Sequence, residues 1–264
     1  MTERSLQRPC APTLRYWGDN GDRPPVILIH GVGADGTSWD QIAAALSPDF
    51  RVLRLDLRGH GRSGHIDGGL ALDDFVRDVV DVLDACAVPA AHVVGFSLGG
   101  IIAQGIALNH PQRVRRLVLL SAVARRTAEE RERVQARLTL LQEQGVAAIT
   151  GAAQERWFTA DFIARNPDLV ARRMQQLQEN HAPSYASAYT VFSTSDLGDS
   201  LHAIRAPTLI ATGEHDVGSN ARMARFMHAQ IAGSRLEILA GLRHSILVEA
   251  PELVARLVRD FLRG

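Results

Sequence analysis

Short apolar runs alternate with amphipathic stretches along most of the chain, and this alternation constrains the fold more than any other feature. Apolar runs of this length are typical of buried strands, and the stretches between them have the spacing of helices. The predicted strands span residues 26–29, 52–57, 92–96, 114–120, 207–211 and 236–239. Strands that alternate with helices run parallel, so the pattern predicts an α/β fold: a mostly parallel twisted sheet with helices on both faces.

Start and stop signals place helices between and after these strands. Helices with one apolar face are predicted over residues 72–83 and 251–262, and a further helix is predicted over residues 98–108, directly after a strand. Four more helices are indicated by local signals. One begins after a capping box of Thr127 and Glu130 and ends at Gly145, and another begins at Asn166-Pro167 and ends at residue 178. Ser184 is predicted to cap a third, and Ser219 a fourth that ends before Gly233. Residues 13–17 are predicted to add an edge strand.

The alternation stops between residues 122 and 201, where the sequence contains helical patterns without a strand-like run. About 80 residues is too long for an ordinary connection between two strands. We therefore expect residues 1–121 and 202–264 to form the α/β core, and residues 122–201 to form a helical cap, or lid, over it.

The strongest functional motif is Gly95-Phe96-Ser97-Leu98-Gly99, which follows a predicted strand and opens a predicted helix. So sharp a turn leaves no room for a side chain two residues before or after the serine, and glycine supplies that room. The turn projects the serine hydroxyl beyond the sheet, at the positive end of the following helix. The motif therefore predicts Ser97 as a nucleophile, against the simpler interpretation of a glycine-rich turn.

A serine hydroxyl needs a base, and the base needs an acid that orients it. His244 follows the last predicted strand and Asp216 follows the strand before it, which places both at the same end of the sheet as Ser97. Glu214 remains an alternative acid, and His215 an alternative base. The order Ser, Asp, His along the chain is the order that the serine motif predicts.

Acyl transfer also needs N–H donors for the developing oxyanion. The N–H of Leu98, one residue past the nucleophile, is the first candidate. The N–H of Val32, in the glycine-rich turn His30-Gly31-Val32-Gly33, is the second. Such turns also bind phosphate, and Gly31, Gly33 and Gly36 have the dinucleotide spacing G-x-G-x-x-G. This spacing alone is a weak signal, and beside the serine motif we favour the oxyanion interpretation of the turn.

Together with Asp56-Leu57-Arg58-Gly59-His60-Gly61-Arg62-Ser63, these motifs resemble the α/β-hydrolase fold superfamily, from roughly residue 14 to the end of the chain. The resemblance implies a Ser97–His244–Asp216 triad under a helical cap, with a structural turn from Arg58 to Ser63 beside it. Members commonly have a proline a few residues after the acid, where this chain has Ser219 and Asn220.

Within the superfamily the chain is most similar to the 3-oxoadipate enol-lactonases. The residues that carry this second resemblance are Arg156-Trp157-Phe158-Thr159-Ala160-Asp161-Phe162 and Ser184-Tyr185-Ala186-Ser187. Related esterases and bacterial haloperoxidase-like proteins share most of them.

Substrate-binding candidates lie in the predicted cap. A dicarboxylate lactone favours one or two arginines in the pocket, because the guanidinium group binds a carboxylate with two hydrogen bonds. Arg126 and Arg156 are the candidates for this role. Trp157, Phe158 and Phe162 either line the acyl or lactone pocket or pack the cap onto the sheet.

The sequence therefore predicts a serine hydrolase that cleaves a carboxylic ester or lactone through an acyl-enzyme, without a metal or organic cofactor. Two alternatives remain. One is carbon–carbon bond hydrolysis of a ring-cleavage product by the same residues, and the other is a ligand-binding protein that has kept the fold without catalysis.

Composition excludes several other classes. All 29 basic residues are arginine, so Schiff-base, pyridoxal-phosphate and Walker-type mechanisms that need a lysine are excluded. A formal net charge of zero gives no reason to expect a nucleic-acid or membrane partner, which leaves a small-molecule ester or lactone. With no secretory signal or long apolar run, we expect a soluble cytoplasmic protein whose sequence leaves the oligomeric state open, a homo-oligomer included. Its two cysteines, Cys10 and Cys86, predict no disulfide framework.

Overall fold

The computed structural model describes residues 1–9, 11–66 and 68–264, and Cys10 lies outside these described residues. Within them the strands are β1 Thr2–Arg8, β2 Ala11–Gly18, β3 Pro25–Ile29, β4 Arg51–Asp56, β5 Ala91–Phe96, β6 Val114–Leu120, β7 Thr208–Gly213 and β8 Arg235–Leu239. The α-helices are α1 Asp40–Leu46, α2 Leu72–Ala85, α3 Leu98–Asn109, α4 Ala128–Gln144, α5 Val146–Trp157, α6 Ala160–Arg165, α7 Pro167–Gln178, α8 Ala182–Thr194, α9 Ala221–Gln230, α10 Ile246–Glu249 and α11 Pro251–Arg263.

The strands of the described residues form one sheet in the order β1-β2-β4-β3-β5-β6-β7-β8. β1 and β2 pair antiparallel with each other, and β2 pairs antiparallel with β4. All pairs from β4 to β8 are parallel. The predicted α/β fold with a mostly parallel sheet is confirmed. Parallel pairing brings the carboxyl ends of β3, β5, β6, β7 and β8 to one edge, where the loops of the site leave the sheet.

Both faces of the sheet are covered, as the alternating side chains of β3 illustrate. Val26 and Leu28 belong to the apolar cluster that includes α1 and α11. Ile27 and Ile29 belong to the larger cluster that includes α2 and α3. A strand buried on both faces is apolar at every position, which explains why β3 appears in the sequence as a continuous apolar run.

The strands predicted from apolar runs lie within two residues of those observed. The strand predicted over residues 13–17 is present as β2, but its predicted position at the edge of the sheet is wrong. β2 is not an edge strand, because β1 pairs with its outer side. β1, with the sequence Thr-Glu-Arg-Ser-Leu-Gln-Arg, is polar and partly exposed, so it gives no apolar signal. Polar edge strands of this kind protect a sheet from pairing with other chains.

Five helices, α4 to α8, occupy the connection between β6 and β7, and we call them the cap helices. α4 begins after the capping box of Thr127 and Glu130 and ends at Gly145, as predicted. α7 also has its predicted bounds, whereas α5 and α6 were not predicted. α5 lacks a clear apolar period, and α6 has only six residues.

Two predicted caps are wrong. Ser184 lies inside the first turn of α8, and its hydroxyl accepts a hydrogen bond from the N–H of Ile66 at 2.9 Å. Asn220 rather than Ser219 caps α9, by accepting from the N–H of Met223 at 3.1 Å. Local sequence offers several polar residues near each helix start, and tertiary contacts decide which one caps. None of the helices in the described ranges is both long and apolar enough to cross a membrane.

Candidate active site

Ser97 lies on the turn between β5 and α3, with φ 55° and ψ −115°. This left-handed backbone region is costly for a residue other than glycine, and it is maintained here by the packing on both sides. A Cβ atom at Gly95 would lie 2.1 Å from the carbonyl oxygen of Gly99, and one at Gly99 would lie 2.1 Å from that of Ile29. Both glycines are therefore required by backbone contact.

His244 and Asp216 meet at the same edge of the sheet. The Nδ1 atom of His244 lies 2.7 Å from Oδ2 of Asp216. The other oxygen of Asp216 accepts from the N–H groups of Gly218 and Ser219 at 2.8 and 2.9 Å. Burial by itself raises the pKa of Asp216, but the charge and hydrogen bond of His244 and these two N–H groups outweigh it and lower the pKa. Asp216 is thus held as an anion that orients the imidazole.

The alternative acid and base lie elsewhere. The carboxylate of Glu214 is half exposed and accepts from the N–H of Gly241 at 2.9 Å. His215 is more than half exposed and lies 3.8 Å from Glu214. The geometry therefore brings His244 to Asp216 and leaves the alternative pair on the surface.

The loop after β3, residues 30–35, approaches the serine closely, and we call it the β3 loop. A Cβ atom at Gly31 would lie 3.0 Å from the Cβ of Ser97. The N–H groups of Val32 and Leu98 have no hydrogen-bond acceptor among the described residues. Unpaired N–H donors beside a serine are the arrangement that stabilises an oxyanion.

Buried His30 fixes the orientation of the peptide before Val32. Its Nε2 accepts from the N–H of Leu57 at 2.9 Å, so Nδ1 carries the proton and donates to the carbonyl of Gly31 at 2.8 Å. Burial lowers the pKa of His30, which keeps it neutral. In a trans peptide the N–H points away from the carbonyl, so the N–H of Val32 is directed away from His30.

A cavity of about 340 Å³ joins these groups. Ser97, Asp216, His244 and Val32 all line it, together with residues of the cap helices. Its volume is that of a small-molecule site.

A family model of the alpha/beta hydrolase fold matches residues 24–251. The chain belongs to the α/β-hydrolase fold family. Among members of this family, the chain is 31% identical to 3-oxoadipate enol-lactonase 2 of Acinetobacter baylyi, over 92% of this chain and 90% of that protein. It is 30% identical to (E)-2-((N-methylformamido)methylene)succinate hydrolase of the same organism, over 99% and 98%. The crystal structure of the enol-lactonase from Burkholderia xenovorans LB400 superposes with a TM-score of 0.90 at 30% identity, covering 96% of this chain and 97% of that one.

The cavity wall of this hydrolase-family member contains more basic than acidic side chains. Five arginines line the cavity, Arg126, Arg133, Arg137, Arg156 and Arg173, whereas the acids among the described lining residues are Glu130 and Asp216. Asp216 is paired with His244, and Glu130 is paired with Arg222 at 2.6 Å. The cavity therefore carries positive charge that the described acids do not neutralise.

The predicted arginines differ in what their guanidinium groups contact. Arg126 is buried and donates to the carbonyl oxygens of Phe192, Ser193 and Ser195, at the end of α8. Burial lowers its pKa to about 10. Arg156, by contrast, has no hydrogen-bond or ion-pair partner among the described residues, and burial together with Arg137 lowers its pKa.

The three predicted aromatic residues also differ in whether they line the cavity. Trp157 lines the cavity. Phe158 is fully buried, stacks on Phe162 at 5.5 Å between ring centroids, and neither ring lines the cavity. For these two, the structure agrees with the alternative of cap packing rather than substrate contact.

Sequence reasoning missed Arg173 and Tyr189 as cavity residues. Arg173 donates to the carbonyl of Gly33 at 2.9 Å, and burial lowers its pKa to about 10. Tyr189 accepts from Nε of Arg137 at 3.1 Å. A signal for Arg173 was present, since it is three residues after Val170 and four before Leu177, on the buried face of α7.

Proposed function

We propose that the protein hydrolyses carboxylic esters or lactones through an acyl-enzyme on Ser97. One observation carries the proposal: His244, hydrogen-bonded to Asp216 at 2.7 Å, lines the same cavity as Ser97. An imidazole oriented by a buried carboxylate is the base that a serine hydroxyl needs to attack a carbonyl carbon. The enol-lactonase names of similar proteins agree with this chemistry.

In the proposed reaction, Oγ of Ser97 forms a bond to the carbonyl carbon while Nε2 of His244 takes the hydroxyl proton. The N–H groups of Val32 and Leu98 donate to the resulting oxyanion. His244 then returns the proton to the leaving oxygen, and the C–O bond breaks to leave the acyl-enzyme. Water then attacks the acyl carbon while His244 takes a proton from it. His244 returns that proton to Oγ of Ser97 as the bond between Ser97 and the acyl group breaks, and the acid is released. In a lactone the leaving oxygen stays attached to the acyl chain, so a single product is formed.

The substrate carries a carboxylate in addition to the scissile ester or lactone. Arg156 and Arg173 line the cavity and have no carboxylate partner among the described residues, although both are at least partly buried. A desolvated guanidinium group without an anion is unfavourable, and a substrate carboxylate would supply its partner. The similar protein named as a succinate hydrolase agrees with an acidic substrate.

The nucleophile is tested by intact-mass analysis after brief exposure to a fluorophosphonate, with the adduct mapped by peptide sequencing. We expect a single adduct on Ser97 that is lost in Ser97→Ala and forms far more slowly in His244→Ala. Ester turnover of Ser97→Ala should fall by roughly 10³- to 10⁶-fold, because the residual rate comes from binding and the oxyanion donors alone. Ser200→Ala, an exposed serine, is the control. An unlabelled wild-type protein, or unchanged turnover in Ser97→Ala, would refute the proposal.

The substrate class is tested with a monoethyl and a diethyl ester of one dicarboxylic acid, an enol-lactone and a vinylogous diketone. We expect kcat/KM to be higher for the monoester than for its neutral diester, and higher for the esters or the lactone than for the diketone. A dominant rate with the diketone would instead establish carbon–carbon bond hydrolysis.

A further inference from the structure

The cap helices hold the β3 loop through one face of α7. Arg173 donates to the carbonyl of Gly33 at 2.9 Å, and Gln176 donates to Oδ2 of Asp35 at 2.7 Å. Asn180, just beyond α7, adds a bond to Gly33 at 3.4 Å. Positions 173 and 176 share one side of α7, and position 180 follows the end of the helix, so a single surface of the cap helices contacts this loop.

The cap helices also hold the loop that carries the base. We call residues 240–245, between β8 and α10, the β8 loop. The N–H of Ser245, next to His244, donates to the carbonyl of Trp157 at 2.9 Å. Glu249 accepts from the N–H of Thr159 at 2.7 Å and from that of Arg243 at 3.1 Å. The end of α5 is thus attached to the β8 loop.

These two attachments meet in one side-chain pair. The guanidinium carbon of Arg173 lies 4.8 Å from the centroid of the Trp157 ring, in a cation–π contact that also lines the cavity. A continuous path therefore runs from the Gly33 carbonyl through Arg173 and Trp157 to Ser245.

The N–H of Val32, proposed above as an oxyanion donor, lies next to one end of this path. Val32 lies between two held carbonyls, that of Gly31, which His30 binds at 2.8 Å, and that of Gly33, which Arg173 binds at 2.9 Å. His30 is buried in the core and holds the Gly31 carbonyl, whereas Arg173 holds the Gly33 carbonyl from the cap helices. A misplacement of about 1 Å in such a donor costs on the order of 10²-fold in rate.

We propose that Arg173 and Trp157 are positioning residues that couple the β3 loop to the β8 loop, so that the oxyanion donor and the base are aligned by one contact in the cap. This role rests on the function proposed above. It is distinct from binding a substrate carboxylate, because it acts on neutral substrates as well.

The experiment measures kcat and KM for a neutral ester, and the rate of fluorophosphonate labelling, in Arg173→Met, Trp157→Leu and the double variant. We expect each single variant to lower kcat and the labelling rate about tenfold or more, with KM changed less than threefold. The double variant should lose little beyond the more impaired single variant, because both substitutions break the same contact. Arg172→Met, the exposed neighbour on α7, is the matched control and should behave as wild type.

Conservative variants keep the test decisive if either substitution unfolds the cap. Trp157→Phe keeps an aromatic face and Arg173→Lys keeps a cationic donor, so both should regain part of the lost kcat at an unchanged melting temperature. Wild-type rates in Arg173→Met, or losses that multiply in the double variant, would overturn the coupling while labelling of wild-type Ser97 still upheld the hydrolase. A wild-type protein that is neither labelled nor active would overturn both.

Discussion

The two sides of the cavity, the core side and the side of the cap helices, differ in whether their charged side chains are neutralised. On the core side, Asp216 is paired with His244 and His30 is kept neutral by burial, so each titratable group has a defined partner or no charge. On the cap side, Arg156 and Arg173 line the cavity, and neither has a carboxylate partner among the described residues. Under the proposed function, the core would supply the reaction chemistry and the cap helices would supply the charge that selects a substrate.

The largest expected effect lies on the core side. Asp216→Asn should lower kcat on the order of 10³- to 10⁴-fold, because an amide no longer holds the imidazole in the tautomer that accepts the serine proton. Glu214→Gln is the matched control, since its carboxylate is half exposed and bonded to Gly241. Steady-state kinetics with one ester check both variants. A large loss in Glu214→Gln with little in Asp216→Asn would assign the acid to Glu214.

A pair of glycine substitutions compares the packing of the two sides. Gly99→Ala should lower the free energy of unfolding by about 3 kcal/mol or more, because its Cβ would lie 2.1 Å from the Ile29 carbonyl oxygen. Gly151→Ala, in the exposed surface of α5 where a Cβ meets nothing within 4 Å, should instead raise it by about 0.5–1 kcal/mol. Urea unfolding measures both, and equal effects would contradict the contrast.

Substitutions of two cap arginines are expected to affect different properties, one the stability of the protein and the other its preference among substrates. Arg126→Met should lower the free energy of unfolding by about 2 kcal/mol, because it leaves three carbonyl oxygens at the end of α8 without their donor. Arg156→Met should leave stability nearly unchanged but reduce the kcat/KM preference for a monoester over its diester by about tenfold. If Arg126→Met alone abolished that preference, Arg126 would be the carboxylate-binding residue.

The smallest effect is a pH dependence in the core. Burial, followed by Arg115 and Arg116, lowers the pKa of His92 from 6.5 to about 4. Between these values the unfolded chain binds a proton that the folded protein does not, so stability falls as the pH decreases through this window. His92→Leu should reduce the slope of the free energy of unfolding against pH there by up to about 1.4 kcal/mol per unit, with activity unchanged. Urea titrations at several pH values would detect an unchanged slope, which would contradict this assignment.

Much of the fold and of the core side of the site followed from short-range rules. Continuous apolar runs located β3 to β8 within two residues, and Gly95 and Gly99 identified the turn around Ser97 because that turn excludes side chains by contact with nearby backbone. Chain order placed Asp216 and His244 at one edge of the sheet, although the sequence left Glu214 and His215 open as alternatives.

The contacts of the cap residues could be predicted less well from the amino-acid sequence, because the partners of an arginine depend on the folded structure around it. Arg126 and Arg156 looked equivalent in sequence, yet Arg126 is bound by carbonyl oxygens of α8 and Arg156 is not. Every residue has a backbone carbonyl, so a contact with a carbonyl oxygen cannot be recognised from a sequence motif.

The succession of strands along the chain, the turn around Ser97 and the family could be predicted from the amino-acid sequence, since backbone sterics and burial act over a few residues. Three contacts required the folded structure: β1 pairs with the outer side of β2, His244 pairs with Asp216, and Arg173 meets Trp157 between the β3 and β8 loops. Those contacts join residues far apart in the chain, and they exist only once the sheet and the cap helices have packed together.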